Sequence, residues 1–514
     1  MIDVCHEDGE DAAALKRASA KLIVATITLC VACMLLLAIR RAGWLDEYWT
    51  VWHTDPANPL AVAYWTRWMH DTQHPPTFYA LSWMLAPLTG PTLAVRRLVV
   101  NSLGLLPVFG TMLACRRNGS PALQMQPLLF ALLMVSGPYF ITYFAEHRSY
   151  FLGLVASSCL VATIRHLHLE TAAGRRPLQR GLIIWLFVIT PVALNLHYTL
   201  SLCMLTLLGA ECLWQWTWGE RRRAVLVASA SIVAVTPLSA NLAIALSLHR
   251  PVTVTNTALG AGWTTIAFML VVGIVVNVVL AVHASSAAVS LIRQPRRAAH
   301  DSRMTFFLLL AGVLLLLTIV FAFMHAITRN MYPRLLIGLI PLASAALAEL
   351  AARRPPGRLI LALACLNALA IAASTTVHEL RNGRWEEEVP AILAERRTCP
   401  TTRIFAFNTM YLLPPDNPGW KMRGQSEAMA LSYRMIARKY GFPIEVLPID
   451  GQRLAAASTC PTLVWMEHNF FRPDLTKEEL AARAGLGGNG EQMSLAHFDS
   501  HYLLRIEPAG GSPR

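Results

Sequence analysis

Apolar segments of about 20 residues recur through the first three quarters of this 514-residue chain and restrict the folds it can adopt. A helix of about 20 residues crosses the roughly 30 Å hydrocarbon layer of a bilayer. Apolar residues make up 55% of the chain and charged residues 15%, against about a quarter charged in soluble domains. The sequence therefore predicts a polytopic α-helical membrane protein, and it disfavours a soluble enzyme, a disordered scaffold or a fibrous repeat.

Eleven segments are long and apolar enough to be predicted as transmembrane helices. They lie at 20–39, 96–115, 121–141, 149–166, 181–197, 199–216, 224–247, 264–291, 304–325, 332–350 and 359–377. The predicted fold class is therefore a membrane domain of about 11 transmembrane helices, followed by a smaller domain.

A further apolar stretch, Pro75–Leu88, would reach only about 21 Å as a helix, too short to cross. If it does not cross and the N-terminus is cytoplasmic, most Arg and Lys residues of the short loops lie inside, as the positive-inside rule expects. We therefore predict a cytoplasmic tail at 1–19, a membrane domain at 20–378, and an outer loop at 40–95 with interfacial or re-entrant helices. Basic inner loops also account for the net charge of +13, so no nucleic-acid partner is predicted.

The composition changes after Val377, and residues 379–514 contain clustered charges and no apolar run of spanning length. Short β-type runs alternate with a helical stretch at Glu427–Lys439, which predicts a small α/β domain. The odd number of spans places this domain outside the cytoplasm. Its predicted strands are Arg403–Phe407, Ile444–Ile449, Thr462–Met466 and Tyr502–Ile506.

Two of the ten cysteines occupy a repeated tetrapeptide in this domain, Thr398-Cys399-Pro400-Thr401 and Thr459-Cys460-Pro461-Thr462. Each tetrapeptide comes just before a predicted strand. If those strands are neighbours and the compartment is oxidising, Cys399 and Cys460 can form a disulfide. The single CxxC spacing, Cys30-Val31-Ala32-Cys33, lies inside the first predicted span, and the sequence contains no second CxxC, no HExxH metal spacing and no glycine-rich phosphate loop.

The predicted outer segments carry the side chains best suited to chemistry. Asp46 and Glu47 follow the first span, beside aromatic residues typical of a membrane interface. This pair is either solvated at the lipid headgroups or catalytic, with one carboxylate as general base for an acceptor hydroxyl and the other orienting substrate or a cation. His74, in His74-Pro75-Pro76, either precedes a helix that the prolines start or binds a phosphate or sugar.

Two further outer segments border spans. Glu146 and Arg148 flank the fourth span, where ionisable groups form an interfacial ion pair or line a polar cavity. His197 and Tyr198 sit in the short turn between two spans, where a histidine is ordinarily only a loop residue.

A third segment contains Arg329, Tyr332 and Arg334 at the entrance of a span. Guanidinium groups suit bidentate contact with phosphate, so these arginines bind either a substrate phosphate or ordinary phospholipid headgroups. The predicted topology places all of these segments on one membrane face, where we expect them to form one site.

In chain order, these motifs resemble the GT-C superfamily of integral-membrane glycosyltransferases, in particular the branch of protein O-mannosyltransferases and lipid A aminoarabinose transferases. The resemblance rests on four motifs spread over roughly residues 20–350. They are the Asp46-Glu47 pair, His74-Pro75-Pro76-Thr77-Phe78-Tyr79, Arg96 or Arg97 at the next span, and Glu146-His147-Arg148-Ser149-Tyr150. The family motif near the fourth span usually reads Ala-Arg-Pro-Tyr, and this chain keeps the arginine and tyrosine spacing with Ser149 in place of proline.

The resemblance implies sugar transfer from a polyprenyl-phosphate donor to a glycan, lipid or protein acceptor, at the outer face of the cytoplasmic (inner) membrane. Asp46 would be the catalytic base with Glu47 in support, and the single displacement would invert the anomeric carbon. Arg148 would bind the lipid phosphate. The other expected substrate-binding residues are His74, Glu146, Tyr150, His197, Tyr198, Arg329, Tyr332 and Arg334. No cofactor is certain, and the participation of a divalent metal stays open.

Two other classes of function compete with this one. A transporter or flippase for a lipid-linked anion would place ionisable residues near the mid-membrane on facing repeats. The predicted spans carry few charges and no internal repeat is visible, which favours the transferase. A receptor would instead use the exterior domain to bind a partner, without catalysis.

Overall fold

The computed structural model shows a mainly helical chain with a small β-sheet near its C-terminus. It describes residues 4–67, 74–115, 125–172, 179–248, 277–293, 302–328, 333–353, 356–381, 384–407, 425–447, 459–467, 476–483, 493–498 and 501–508. The chain divides into two compact units. Unit 1 contains Met1–Ile39, Thr72–Phe78 and Arg97–His378, and unit 2 contains Arg40–Asp71, Tyr79–Arg96 and Glu379–Arg514.

Helices dominate the first 381 residues because a backbone in lipid must satisfy its own polar groups. In chain order they are α1 (Val4–Arg40), α2 (Leu45–His53), α3 (Thr77–Thr89), α4 (Leu93–Ser102), α5 (Leu105–Ala114), α6 (Met125–Val135), α7 (Pro138–Phe144), α8 (Ser149–Ala172), α9 (Arg180–Leu194), α10 (Tyr198–Thr217), α11 (Arg221–Leu248), α12 (Val278–Arg293), α13 (Ser302–Thr328), α14 (Leu339–Arg353) and α15 (Arg358–Arg381). A π-helix at Val62–Arg67 and a 3₁₀ helix at Pro333–Gly338 interrupt this series.

Seven segments among the described residues are long and apolar enough to cross a membrane. They are Arg17–Arg40, Leu93–Ala114, Ser149–Thr171, Arg221–Ser247, Ser302–Met324, Leu336–Arg353 and Arg358–Arg381. The predicted multi-pass helical architecture is therefore confirmed. Each of the eleven predicted spans contains a described helix, but the count of eleven stays a prediction, since part of the span at 264–291 lies outside the described residues.

Taken together, α6 and α7 are apolar enough to form either an eighth, broken span or a re-entrant loop, and they meet at 66° on either side of Ser136 and Gly137. Gly137 has an extended backbone, and Pro138 then opens α7, where its missing N–H costs no helical hydrogen bond. Helix α3 has 13 residues, about 20 Å in length, which is too short for a full crossing. Its interfacial or re-entrant position stays a prediction.

A polar network lies buried among α8, α10 and α13 of unit 1. His168 Nδ1 is 2.9 Å from Glu211 Oε2, His168 Nε2 is 2.9 Å from Thr305 Oγ1, and the His168 and Glu211 side chains are fully buried. Gln215 donates to the second Glu211 oxygen at 2.6 Å, while Trp214 stacks on the imidazole with ring centroids 3.8 Å apart. Each polar atom thus has a partner, which lowers the cost of its burial.

We expect Glu211→Ala to destabilise unit 1 by about 3–5 kcal/mol, because it leaves His168 and Gln215 buried without their acceptor. The apparent Tm of the detergent-solubilised protein measures this loss. Glu478→Ala is the matched control, since Glu478 is exposed and pairs with its neighbour Lys477 at 3.8 Å. Equal Tm values for the two variants would contradict the prediction.

Unit 2 contains a five-stranded sheet with the order β2-β1-β3-β5-β4. The strands are β1 (Arg403–Phe407), β2 (Glu445–Leu447), β3 (Thr462–Glu467), β4 (Met493–His497) and β5 (His501–Ile506), and the helices of this part are α16 (Val389–Thr398), α17 (Gln425–Tyr440) and α18 (Lys477–Arg483). Strand β1 pairs in parallel with β2 and β3, whereas β5 is antiparallel to β3 and β4. The predicted small α/β fold is confirmed, although β4 was not among the predicted strands.

Cys399 and Cys460 are joined by a disulfide in this unit, with their Cα atoms 5.8 Å apart. They precede β1 and β3, which are parallel neighbours with Arg403 opposite Thr462. The two tetrapeptides therefore lie side by side because the strands that follow them are paired.

The main core of unit 2 combines the sheet domain with the first loop. Tyr48 of α2 is buried in one cluster with Trp385, Tyr433, Trp465 and Leu503. Helix α2 also packs against α17. The C-terminal residues therefore hold the loop helix that carries Asp46 and Glu47.

Candidate active site

Four of the predicted site residues lie together in unit 1: His74, Arg148, Tyr150 and His197, here called the His74 cluster. All four side chains are buried. His74 Nε2 is 3.0 Å from Arg148 Nη2 and 3.5 Å from the Tyr150 hydroxyl. The ring centroids of His74 and His197 are 4.9 Å apart, and those of Tyr150 and His197 are 5.1 Å apart. Three distant segments of the chain thus supply one cluster.

Each member is fixed by the end of a helix. Pro75 and Pro76 restrict the backbone after His74 and lead into α3. Arg148 is the last residue before α8, and Tyr150, in the first turn of α8, stacks on Tyr143 of α7 at a centroid distance of 4.7 Å. His197 caps the N-terminus of α10, its Nδ1 accepting from the Thr199 backbone N–H and hydroxyl. Short turns rather than long loops therefore set the geometry.

The local hydrogen bonds determine which imidazole nitrogens carry protons. A guanidinium can only donate, so His74 Nε2 accepts from Arg148 and the proton of a neutral His74 lies on Nδ1. His197 Nδ1 accepts from the Thr199 backbone, so a neutral His197 carries its proton on Nε2. The His74 cluster consequently presents a cation and several N–H and O–H donors, which suits an anionic ligand such as a phosphate.

Asn101 supports Arg148 and was not identified from the sequence. Its Nδ2 donates to the carbonyl oxygens of Phe144 at 2.8 Å and Glu146 at 2.9 Å. These two bonds tie α4 to the turn between α7 and α8, which ends at Arg148. Asn101 follows Val99 and Val100 near the end of α4, where the sequence alone carried no signal of this contact.

We expect Asn101→Ala to cost about 1–3 kcal/mol and to loosen this turn, because two buried carbonyl oxygens lose their donors. Amide hydrogen exchange should become faster at 145–150 in the variant. Ser102→Ala is the matched control, since Ser102 is exposed and its hydroxyl donates to the Leu98 carbonyl oxygen of its own helix. Unchanged exchange at 145–150 in Asn101→Ala would contradict the prediction.

The remaining predicted residues of unit 1 are placed as follows. Glu146 is buried, and its backbone oxygen accepts from Asn101. Tyr198 is half-buried as the first residue of α10. Arg334 lies in the 3₁₀ helix Pro333–Gly338, whereas Arg329 and Tyr332 lie outside the described residues. The expected binding role of the 329–334 segment therefore stays a prediction.

Asp46 and Glu47 belong to unit 2, in the first turn of α2. Asp46 is half-buried and Glu47 is fully buried. The positive end of the helix dipole favours negative charge at these two positions. Among the residues that the structure describes, no three His, Cys, Asp or Glu side chains are grouped closely enough to hold a metal ion.

The chain has the fold of ArnT. The crystal structure of ArnT from Cupriavidus metallidurans in the apo state matches with a TM-score of 0.52 at 12% identity, covering 97% of this chain and 100% of that chain. The structure of the same protein bound to undecaprenyl phosphate matches with a TM-score of 0.50 at 13% identity, covering 96% and 99%. No protein-family model and no curated protein sequence matches the chain.

Proposed function

We propose that this chain is a GT-C-type glycosyltransferase that moves a sugar from a polyprenyl-phosphate donor to an acceptor at the outer face of the cytoplasmic membrane. The observation that carries the proposal is the His74 cluster, a buried set of hydrogen-bond donors around Arg148. The shared fold supports it, because ArnT has been crystallised with undecaprenyl phosphate. The acceptor is a glycan, a lipid or a protein.

The proposed reaction is a single displacement at the anomeric carbon. An acceptor hydroxyl forms the new bond to that carbon, and the bond between the carbon and the donor phosphate oxygen breaks with its electron pair leaving on the phosphate. Asp46 takes the hydroxyl proton as general base, while Glu47 supports the helix turn that presents it. The product is inverted at the anomeric carbon.

Arg148 and its neighbours stabilise the departing phosphate. Negative charge on the phosphate increases as the bond to the sugar breaks, and prearranged donors are strongest where charge develops. The planar guanidinium of Arg148 can bind two phosphate oxygens. In this proposal His74 and His197 supply further N–H groups, and Tyr150 supplies a hydroxyl.

Two measurements test the proposal. Mass spectrometry of glycans from a strain lacking the gene should show one sugar missing, together with accumulation of a polyprenyl-phosphate sugar. Purified protein in liposomes, given the lipid-linked sugars extracted from that strain, should release polyprenyl phosphate when acceptor is present. A transporter would instead move the intact lipid-linked sugar between leaflets without breaking a bond, and that result would refute the proposal.

A further inference from the structure

Helix α2 is attached to the C-terminal residues of unit 2 near its entry, middle and end. Gly43, two residues before the helix begins, donates its backbone N–H to Glu386 Oε1 at 3.1 Å. Tyr48 is buried in the sheet-domain core, and Trp52 Nε1 donates to Glu427 Oε2 at 3.1 Å. Asp46 and Glu47 lie between the first two attachments.

Glu386 links the residues just before α2 to the C-terminal end of α17. Its Oε2 accepts from Lys439 Nζ at 2.6 Å and from the Tyr440 hydroxyl at 2.5 Å, while its Oε1 holds the Gly43 amide. The carboxylate is buried and every named contact is a donor to it. Burial and the adjacent Glu386 raise the pKa of Tyr440, so the phenol keeps its proton and remains a donor.

A glycine is required at position 43 for the backbone to come this close to Glu386. A Cβ atom at Gly43 would collide with the Tyr48 phenol and lie 2.8 Å from Leu93 Cδ1. Only a residue without a side chain allows the backbone to pass between these groups while its N–H reaches Glu386. The entry angle of α2 therefore depends on a backbone contact that a longer side chain would displace.

We propose that Glu386 is a positioning residue: it fixes the entry of α2 so that Asp46 and Glu47 are held in their working orientation. This inference rests on the proposed function and assigns the C-terminal domain a role in it. A displacement of about 1 Å at reacting groups can cost about 10²-fold in rate. Glu386 touches neither substrate nor reacting atoms in this scheme, and it acts through the helix.

Glu386→Ala should lower kcat about 10- to 100-fold with an unchanged KM for the lipid-linked donor. Glu386→Gln should keep more of the rate than Glu386→Ala, because its amide oxygen can still accept from Gly43 while its amide nitrogen cannot accept from Lys439 or Tyr440. The matched control is Glu395→Ala, which removes the 2.9 Å pair with Arg505 in the same unit. A similar fall in kcat for Glu395→Ala, or a normal kcat for Glu386→Ala, would overturn the inference.

Amide hydrogen exchange gives a readout that does not depend on the reaction. Glu386→Ala should speed exchange at 43–53 while β1 and β3 remain as protected as in the wild type. If wild-type protein transfers no sugar, the proposed function fails, and the exchange result still decides whether Glu386 holds α2. Wild-type protection at 43–53 in Glu386→Ala would overturn the inference whatever the activity.

Discussion

Asp46→Asn is expected to lower kcat by about 10²–10⁴-fold while the donor still binds with near wild-type affinity. Asparagine has the same size but cannot take a proton from the acceptor hydroxyl. Because Asp46 lies in the first turn of α2 and is half-buried, the substitution should leave the packing of Tyr48 intact. Steady-state rates with the lipid-linked sugar, together with donor binding by the detergent-solubilised variant, measure the two effects separately.

Asp55→Asn provides the matched control for this experiment. Asp55 lies in the same loop, but its side chain accepts from the Ala57 backbone N–H and serves a local turn. We expect its kcat to stay within about twofold of wild type, because the asparagine oxygen can still accept from the Ala57 backbone N–H. Equal rates for Asp46→Asn and wild type would remove Asp46 from the mechanism and favour a transporter or a receptor.

Arg148→Ala should lower kcat/KM by about 10²–10³-fold, with an increase in the KM for the donor and a fall in kcat. The guanidinium is proposed to bind the phosphate both before and during its departure, so both constants change. Arg148→Lys should recover only part of the loss, since an ammonium keeps the charge but not the two parallel N–H bonds. Titration with undecaprenyl phosphate should show weaker product binding in the same order.

A matched arginine outside the cluster separates these effects from a general loss of charge. Arg221 is exposed at the start of α11, where it lies over the Trp216 ring at 5.5 Å. Arg221→Ala should leave kcat/KM near the wild-type value. The proposal for Arg148 fails if the two alanine variants have the same kcat/KM and the same affinity for undecaprenyl phosphate.

The transmembrane helices could be predicted from the sequence because long apolar runs are sufficient to identify them. A backbone in lipid has few alternatives to a helix, so the apolar runs between Leu22 and Val377 are helical wherever the structure describes them. Strands β1 and β3 were also predicted, because each is a short buried apolar run after a Cys-Pro dipeptide. Strand β4 was missed because its residues are largely polar or exposed, and its pairing with β5 is what makes it a strand.

Site residues whose side-chain type suggests their chemistry could be predicted from the sequence. Residues whose role depends on contacts between distant segments could not. His74, Arg148, Tyr150 and His197 stand out in the sequence as polar groups at the ends of apolar runs. Asn101 does not stand out, since its role is a pair of backbone contacts across a turn formed by distant residues. The same limit applies to Glu386, which reads as one of several acidic residues in a charged segment.

The bond between Trp52 and Glu427 joins residues 375 positions apart. Helix α2 therefore leaves the ribosome long before its partners exist, and its apolar face stays uncovered until α17 and the sheet have been synthesised. Closing so long a loop is slow and entropically costly, so unit 2 should be the last part of the protein to mature. A nonsense mutation even late in the reading frame would leave α2 synthesised without the sheet that covers it.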